Sequence, residues 1–127
     1  MLRRLLAIAA LIAQVGVSAS HGQLLQRAGQ AARDATNPYE EQAAQAAAEK
    51  AGAKLFEYNC SACHGSHAEG IGKAPPLVSP GVKTAQPGAL KWVLRNGSLT
   101  TGMPSFSKLP EAQRWQIITY IKSLNGR

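Results

Sequence analysis

The chain is short of several things, and each shortage closes off a class of explanation. It holds only two cysteines, Cys60 and Cys63, too few for the disulfide framework that staples small exported domains. A bridge between those two would close a very small loop. Acidic residues number seven against fourteen lysines and arginines, a formal charge of +7. That balance favours nucleic acid, an anionic membrane or an acidic protein as partner. Nucleic acid is set aside, because the basic residues are scattered and not clustered with interleaved aromatics. No strand-like alternation of apolar and polar residues surrounds the cysteines. Methionine is scarce as well, Met1 and Met103 being the only two. At 127 residues there is room for one small domain.

What is present begins with an address. Arg3 and Arg4 precede an apolar run from Leu5 to Val17, and Val17-Ser18-Ala19 supplies a small-x-Ala pattern. Residues 1–19 therefore read as a signal peptide, cut between Ala19 and Ser20. The run is shorter than the ~20 residues that span a bilayer, so an uncleaved anchor is the lesser alternative. Cleavage removes two arginines and no acidic residue, which takes the formal charge from +7 to +5. The expected location is the periplasm. Residues 20–37 are small and polar, with Leu24 and Leu25 the only strongly apolar members. They read as a flexible leader outside the core, with a short amphipathic helix near Leu24 to Ala32 as the alternative.

The rest, residues 38–127, is expected to be one domain organised around Cys60-Ser61-Ala62-Cys63-His64. Two thiols separated by two residues can add to the vinyl groups of one haem as thioethers. The imidazole that follows then reaches the iron. Zinc is a poor rival, since only two cysteines exist and His64 adjoins Cys63 too closely to share a tetrahedron with it. A thioredoxin-like redox pair would want a βαβ setting. Export agrees with haem, because thioether attachment takes place outside the cytoplasm in bacteria. The second axial ligand has three candidates: His21, His67 and Met103. His21 falls in the leader, and His67 is too near His64 to reach the opposite haem face. Met103 lies in Thr100-Thr101-Gly102-Met103-Pro104, a Gly/Pro-punctuated loop that suits a fixed thioether ligand.

Helices are expected on either side. Asn37-Pro38-Tyr39-Glu40 has the pattern of an N-cap with Pro at the first helical position and Glu three residues after the cap. A high-propensity stretch then runs toward Asn59, with a start several residues later than Pro38 as the alternative. Ala48, Gly52 and Phe56 share one face of it, and Gly52 suggests close backbone approach by another element. Pro87 to Asn96 reads as a short helix stopped by Asn96-Gly97. A last helix starts at Pro110, with Ile117, Ile121 and Leu124 as its apolar stripe and Trp115 and Ile118 flanking. Trp92, Phe106 and Trp115 are either pocket-lining or core aromatics.

Taken in order, Cys60 to His64, Ala74-Pro75-Pro76-Leu77, Gly102-Met103-Pro104 and the final Ile117 to Lys122 run resemble a class I c-type cytochrome of the small bacterial monohaem kind. The resemblance covers roughly Gly52 to Leu124. It implies an all-α cytochrome c-like fold, three to four helices around one covalent haem c, with the first and last helices packed together. It implies that Gly52 and Phe56 meet Ile117 and Tyr120. It also implies that the carbonyl of Pro75 accepts a hydrogen bond from the proximal His64, although Ala74 stands where the family has glycine. Cys60 and Cys63 would carry the haem, His64 and Met103 the iron. The implied role is that of an electron carrier and not an enzyme. It would work as a monomer with redox proteins such as a quinoprotein dehydrogenase or a terminal oxidase, without nucleic acid or a stable membrane span. A haem enzyme or gas sensor with a displaceable sixth ligand is the alternative. Lys73, Lys83, Lys91, Arg95 and Lys108, all between the two iron ligands, are candidates for steering acidic partners. With a compact part of about 85 residues, near the size at which a core alone is marginal, haem would also act as a staple.

Overall fold

The computed structural model describes residues 21–32 and 35–126, so the expected signal peptide lies outside the described residues. Six helices occur in that range: α1 His21–Ala31, α2 Gln42–Asn59, α3 Ser61–His64, α4 Pro80–Thr84, α5 Pro87–Asn96 and α6 Glu111–Leu124. Among the described residues there is no strand, only the isolated bridges Ile71–Ala74 and Ser98–Met103. The fold is all-α and cytochrome c-like. Two of the helices are single turns, and α1 is an addition to the three or four expected. No helix among the described residues is long and apolar enough to cross a membrane.

The packing of α2 on α6 is the frame. Both helices turn their apolar residues to one seam, where Phe56, Ile117 and Ile118 are fully buried. The rings of Phe56 and Tyr120 sit 5.4 Å apart, tilted by 57°, a favourable edge-on aromatic arrangement. The seam closes this tightly because Gly52 has no side chain. A Cβ there would lie 2.0 Å from the main-chain oxygen of Gln116 and 2.9 Å from Cβ of Tyr120. The expected meeting of Gly52 and Phe56 with Ile117 and Tyr120 is found.

Local chemistry sets the ends. Helix α5 has Pro87 in its first turn and stops at Gly97. Helix α4 was not foreseen; the Ser79 hydroxyl caps it by accepting from the Val82 N–H. Its far end is closed by Lys122 of α6, whose ammonium donates to the carbonyls of Val82, Lys83 and Ala85. Asn125 ties the end of α6 to the loop before α4, accepting from Ser79 N–H and donating to Leu77 O, each within 2.9 Å.

Three expectations are corrected. Helix α2 starts at Gln42, the later start allowed for it, so Asn37 is not its N-cap. Asn37 is buried and committed elsewhere: its Oδ1 accepts from Tyr39 N–H in a local turn and its Nδ2 donates to Thr119 Oγ1 at 2.9 Å. Pro110 precedes α6 as its cap and does not belong to the first turn. The stretch expected as a flexible leader is helical as α1, the alternative given for it, and it lies against α5 and not outside the core. Ala28 is fully buried and Leu25 packs on the core. The close seat depends on Gly88, where a Cβ would stand 2.3 Å from Ala32 O. Two leucines were too few to suggest burial, but α5 supplies the matching surface.

Candidate functional site

Between α3, α5, α6 and the loops joining them lies a cavity of about 590 Å³, within the range of cofactor sites. Cys60, Cys63, His64, Pro75, Met103 and Phe106 all line it. Its apolar walls come from Leu90 and Leu94 of α5 and Ile118 and Ile121 of α6, with Leu24 and Leu25 added from α1.

The motif occupies the corner where α2 ends. Cys60 terminates α2 and begins the single turn α3, its carbonyl accepting from Cys63 N–H at 3.1 Å and His64 N–H at 2.9 Å. One turn of helix is what brings two cysteines three positions apart to the same side, with the histidine beside them. Beyond it the chain doubles back: Gly70 N–H donates to His64 O at 2.7 Å, and Ile71 and Ala74 bond to each other. That reversal sets Pro75 over the histidine, and His64 Nδ1 is 2.9 Å from Pro75 O. A carbonyl can only accept, so Nδ1 carries the proton and the other ring nitrogen is left for a metal. Ala74 replaces the family's glycine without strain, because Ala68 is the only non-glycine in the left-handed region among the described residues.

Met103 is held by main-chain bonds alone, whereas His64 adds the side-chain bond to Pro75. Ser98 and Met103 exchange N–H and carbonyl at 2.9 and 3.0 Å, closing a tight turn directly after α5. Gly97 makes the turn possible twice over. Its φ is +67°, a conformation that a side chain makes costly, and a Cβ would lie 2.6 Å from Met103 O. Two further bonds fasten the following residues to α5, Phe106 N–H to Leu94 O at 2.8 Å and Ser105 Oγ to Arg95 O at 2.6 Å.

Cys60 is buried and Cys63 exposed. Burial, with a smaller contribution from the neighbouring Cys63, pushes the Cys60 thiol up to about 11. Without reaction partners, that sulfur therefore stays a protonated thiol at neutral pH. Of the other candidates, His67 is exposed and bonds only its neighbour Ser66 and a carboxylate two residues on. His21 opens α1, its side chain outside the described residues. Among the aromatics only Phe106 lines the cavity; Trp115 is buried in the core. Leu24 and Leu25 are lining residues that sequence reasoning missed, although an adjacent leucine pair in a helix-forming polar stretch was a usable signal.

Two thiols and an imidazole on one chain segment, a thioether on another and apolar walls between them fit a haem: soft donors for attachment and iron, and a largely apolar container for the ring. This combination of helical frame and site is that of a class I c-type cytochrome. Residues 47–121 match the family described as Cytochrome C oxidase, cbb3-type, subunit III, and the chain belongs to that family, whose c-type cytochrome domain carries covalently bound haem c. No solved structure matches the chain.

Proposed function

We propose that this cytochrome is a periplasmic one-electron carrier, exported by residues 1–19, that donates to a terminal oxidase. Haem c supplies the reversible Fe(II)/Fe(III) couple. The protein's part is to fill both axial positions, exclude water and offer an approach for partners. Cys60 and Cys63 would form the thioethers. His64 would be the proximal ligand, made more basic by its bond to Pro75, and Met103 the distal one. The observation that carries this reading is that one apolar cavity receives both the Cys60–His64 turn and Met103 from a separate, bonded loop. A site meant for an exchangeable small molecule has no use for a sulfur held there by its own main chain.

The choice of an oxidase over a quinoprotein dehydrogenase is supported by the family's description as an oxidase subunit. The surface charge supports a docking role. Lys73 is exposed and lines the cavity, and Lys83, Arg95 and Lys108 are exposed nearby in sequence. Lys91 is less suited, being paired with Glu111 at 2.5 Å and placed over the Trp115 ring. The test is spectroscopy of the purified holoprotein. The ferric form should show the long-wavelength absorption band of sulfur on iron, and the ferrous form should resist carbon monoxide. Loss of the band together with rapid carbon monoxide or cyanide binding would support an enzyme or sensor instead. Oxidation by a terminal oxidase should slow as salt is raised; a salt-independent rate removes the lysines from the account.

A further inference from the structure

Arg114 is a charge where charge is costly. It lies in the first turn of α6, between Gln113 and the core residue Trp115, and is 6% exposed. A buried guanidinium normally meets a carboxylate. No ion pair serves Arg114 among the described residues, and Glu111, on the same turn, is taken by Lys91. The compensation comes from the main chain of one short loop. Nη1 donates to Phe106 O at 3.4 Å, to Ser107 O at 3.2 Å and to Leu109 O, while Nε is buried without a partner. Those carbonyls belong to the segment that follows Met103 and Pro104. Phe106 connects the two ends of the arrangement. Its N–H is bonded to Leu94 of α5, its carbonyl to Arg114 of α6, and its side chain lines the cavity.

We propose that Arg114 is a positioning residue for Met103: its guanidinium clasps loop 104–109 to α6, and its buried positive charge, held by carbonyls and not by a paired carboxylate, favours the reduced iron. The inference rests on Met103 being the sixth ligand. Hydrogen bonds reach that segment from two helices, from α5 through Leu94 and Arg95, and from α6 through the Arg114 side chain; Ser98, just past α5, holds Met103 itself. Removing the clasp leaves the thioether tethered on one side, so it should leave the iron more often. A fixed positive charge in a low-dielectric interior stabilises the state with the extra electron. Its removal should therefore lower the reduction potential.

The experiment uses the ferric holoprotein of the wild type, Arg114→Gln and Arg114→Lys. It measures the rate at which external imidazole displaces the sixth ligand, the reduction potential and the unfolding temperature. Arg114→Gln should accelerate displacement on the order of tenfold or more, as expected for losing charge-assisted hydrogen bonds, and lower the potential. Arg114→Lys keeps the charge but loses the planar fork, so displacement should quicken while the potential stays near that of the wild type. Asn37→Ala, which breaks a buried bond remote from the loop, should lower the unfolding temperature and leave displacement unchanged. If the arginine variants behave like Asn37→Ala, Arg114 is merely structural and the proposal fails. Should Arg114→Gln yield no folded protein, an unchanged displacement rate in Arg114→Lys overturns it equally. A wild type without the sulfur–iron band would instead refute Met103 as ligand, which separates the two failures.

Discussion

Replacing Gly52 by alanine puts two physical effects in direct opposition. Helix propensity alone favours alanine by about 1 kcal/mol in a helix interior, and Gly52 is the eleventh residue of an 18-residue helix. Packing opposes it. The new Cβ would stand 2.0 Å from Gln116 O, where ordinary contact begins at 3.4 Å. The obstacle is main chain, so no side chain can swing aside, and α2 must retreat from α6 by more than an ångström. Overpacking of this kind costs about 1–3 kcal/mol, occasionally more. The retreat also opens the contacts of Phe56 with Tyr120, and a radial gap of ~1 Å forfeits up to about half of a dispersion well. The net loss should be about 2–4 kcal/mol, from a total that is roughly 5–15 kcal/mol in small domains. Thermal unfolding of the holoprotein, followed by circular dichroism, should move down by roughly 10–20 °C. Gly81, in α4, has nothing within 4 Å of its notional Cβ, so Gly81→Ala should be neutral or slightly stabilising. A Gly52→Ala protein that melts at or above the wild-type temperature would falsify this account of the seam.

Other perturbations follow the same physics. Gly97→Ala combines a left-handed φ with a clash on Met103 O; it should cost more than ~1–2 kcal/mol and weaken the sulfur–iron band, whereas a band and stability unchanged would detach this turn from Met103. Gly88→Ala should unseat α1 through its clash with Ala32 O, and limited proteolysis should then cut near residues 21–32 faster; equal protection would contradict the packing described. The carboxyl of Glu69 is held below the usual carboxylate range, first by its own backbone N–H and then by that of His67. A lowered folded value stabilises the protein above the ordinary carboxylate range and is lost as pH falls through the folded value. Glu69→Gln should therefore be slightly less stable than the wild type near neutrality and equal to it at acid pH, which flattens the acid side of the stability curve; an identical acid limb in the variant would remove Glu69 from that linkage.

Much of the site was readable in the chain because its chemistry is local. A single turn sets Cys60, Cys63 and His64 side by side whatever the tertiary fold, and a lone methionine between glycine and proline stood out by composition. Gly52 and Phe56 were readable as a helical face, and α5 was legible at both ends from Pro87 and Asn96-Gly97. The misreadings involved residues whose role depends on a distant partner. Asn37 has the chemistry of an N-cap, yet Thr119, far along the chain, takes its side chain. Arg114 drew no reading from the sequence, because the three loop carbonyls that surround it come together only in the fold. Helix α1 has too little apolar surface to announce burial by itself, and its seat on α5 exists only because Gly88 leaves the space.

That seat has a practical side. The fourth and fifth residues of α1, Leu24 and Leu25, are part of the cavity wall, so a partner engineered onto His21 would be attached a single turn of helix from the haem cavity. A redox enzyme fused there would hold its own centre close to the iron through a linker of few residues. The effective concentration would be in the millimolar range typical of short flexible connections. In such a fusion the tether would begin beside the cavity wall that Leu24 and Leu25 complete.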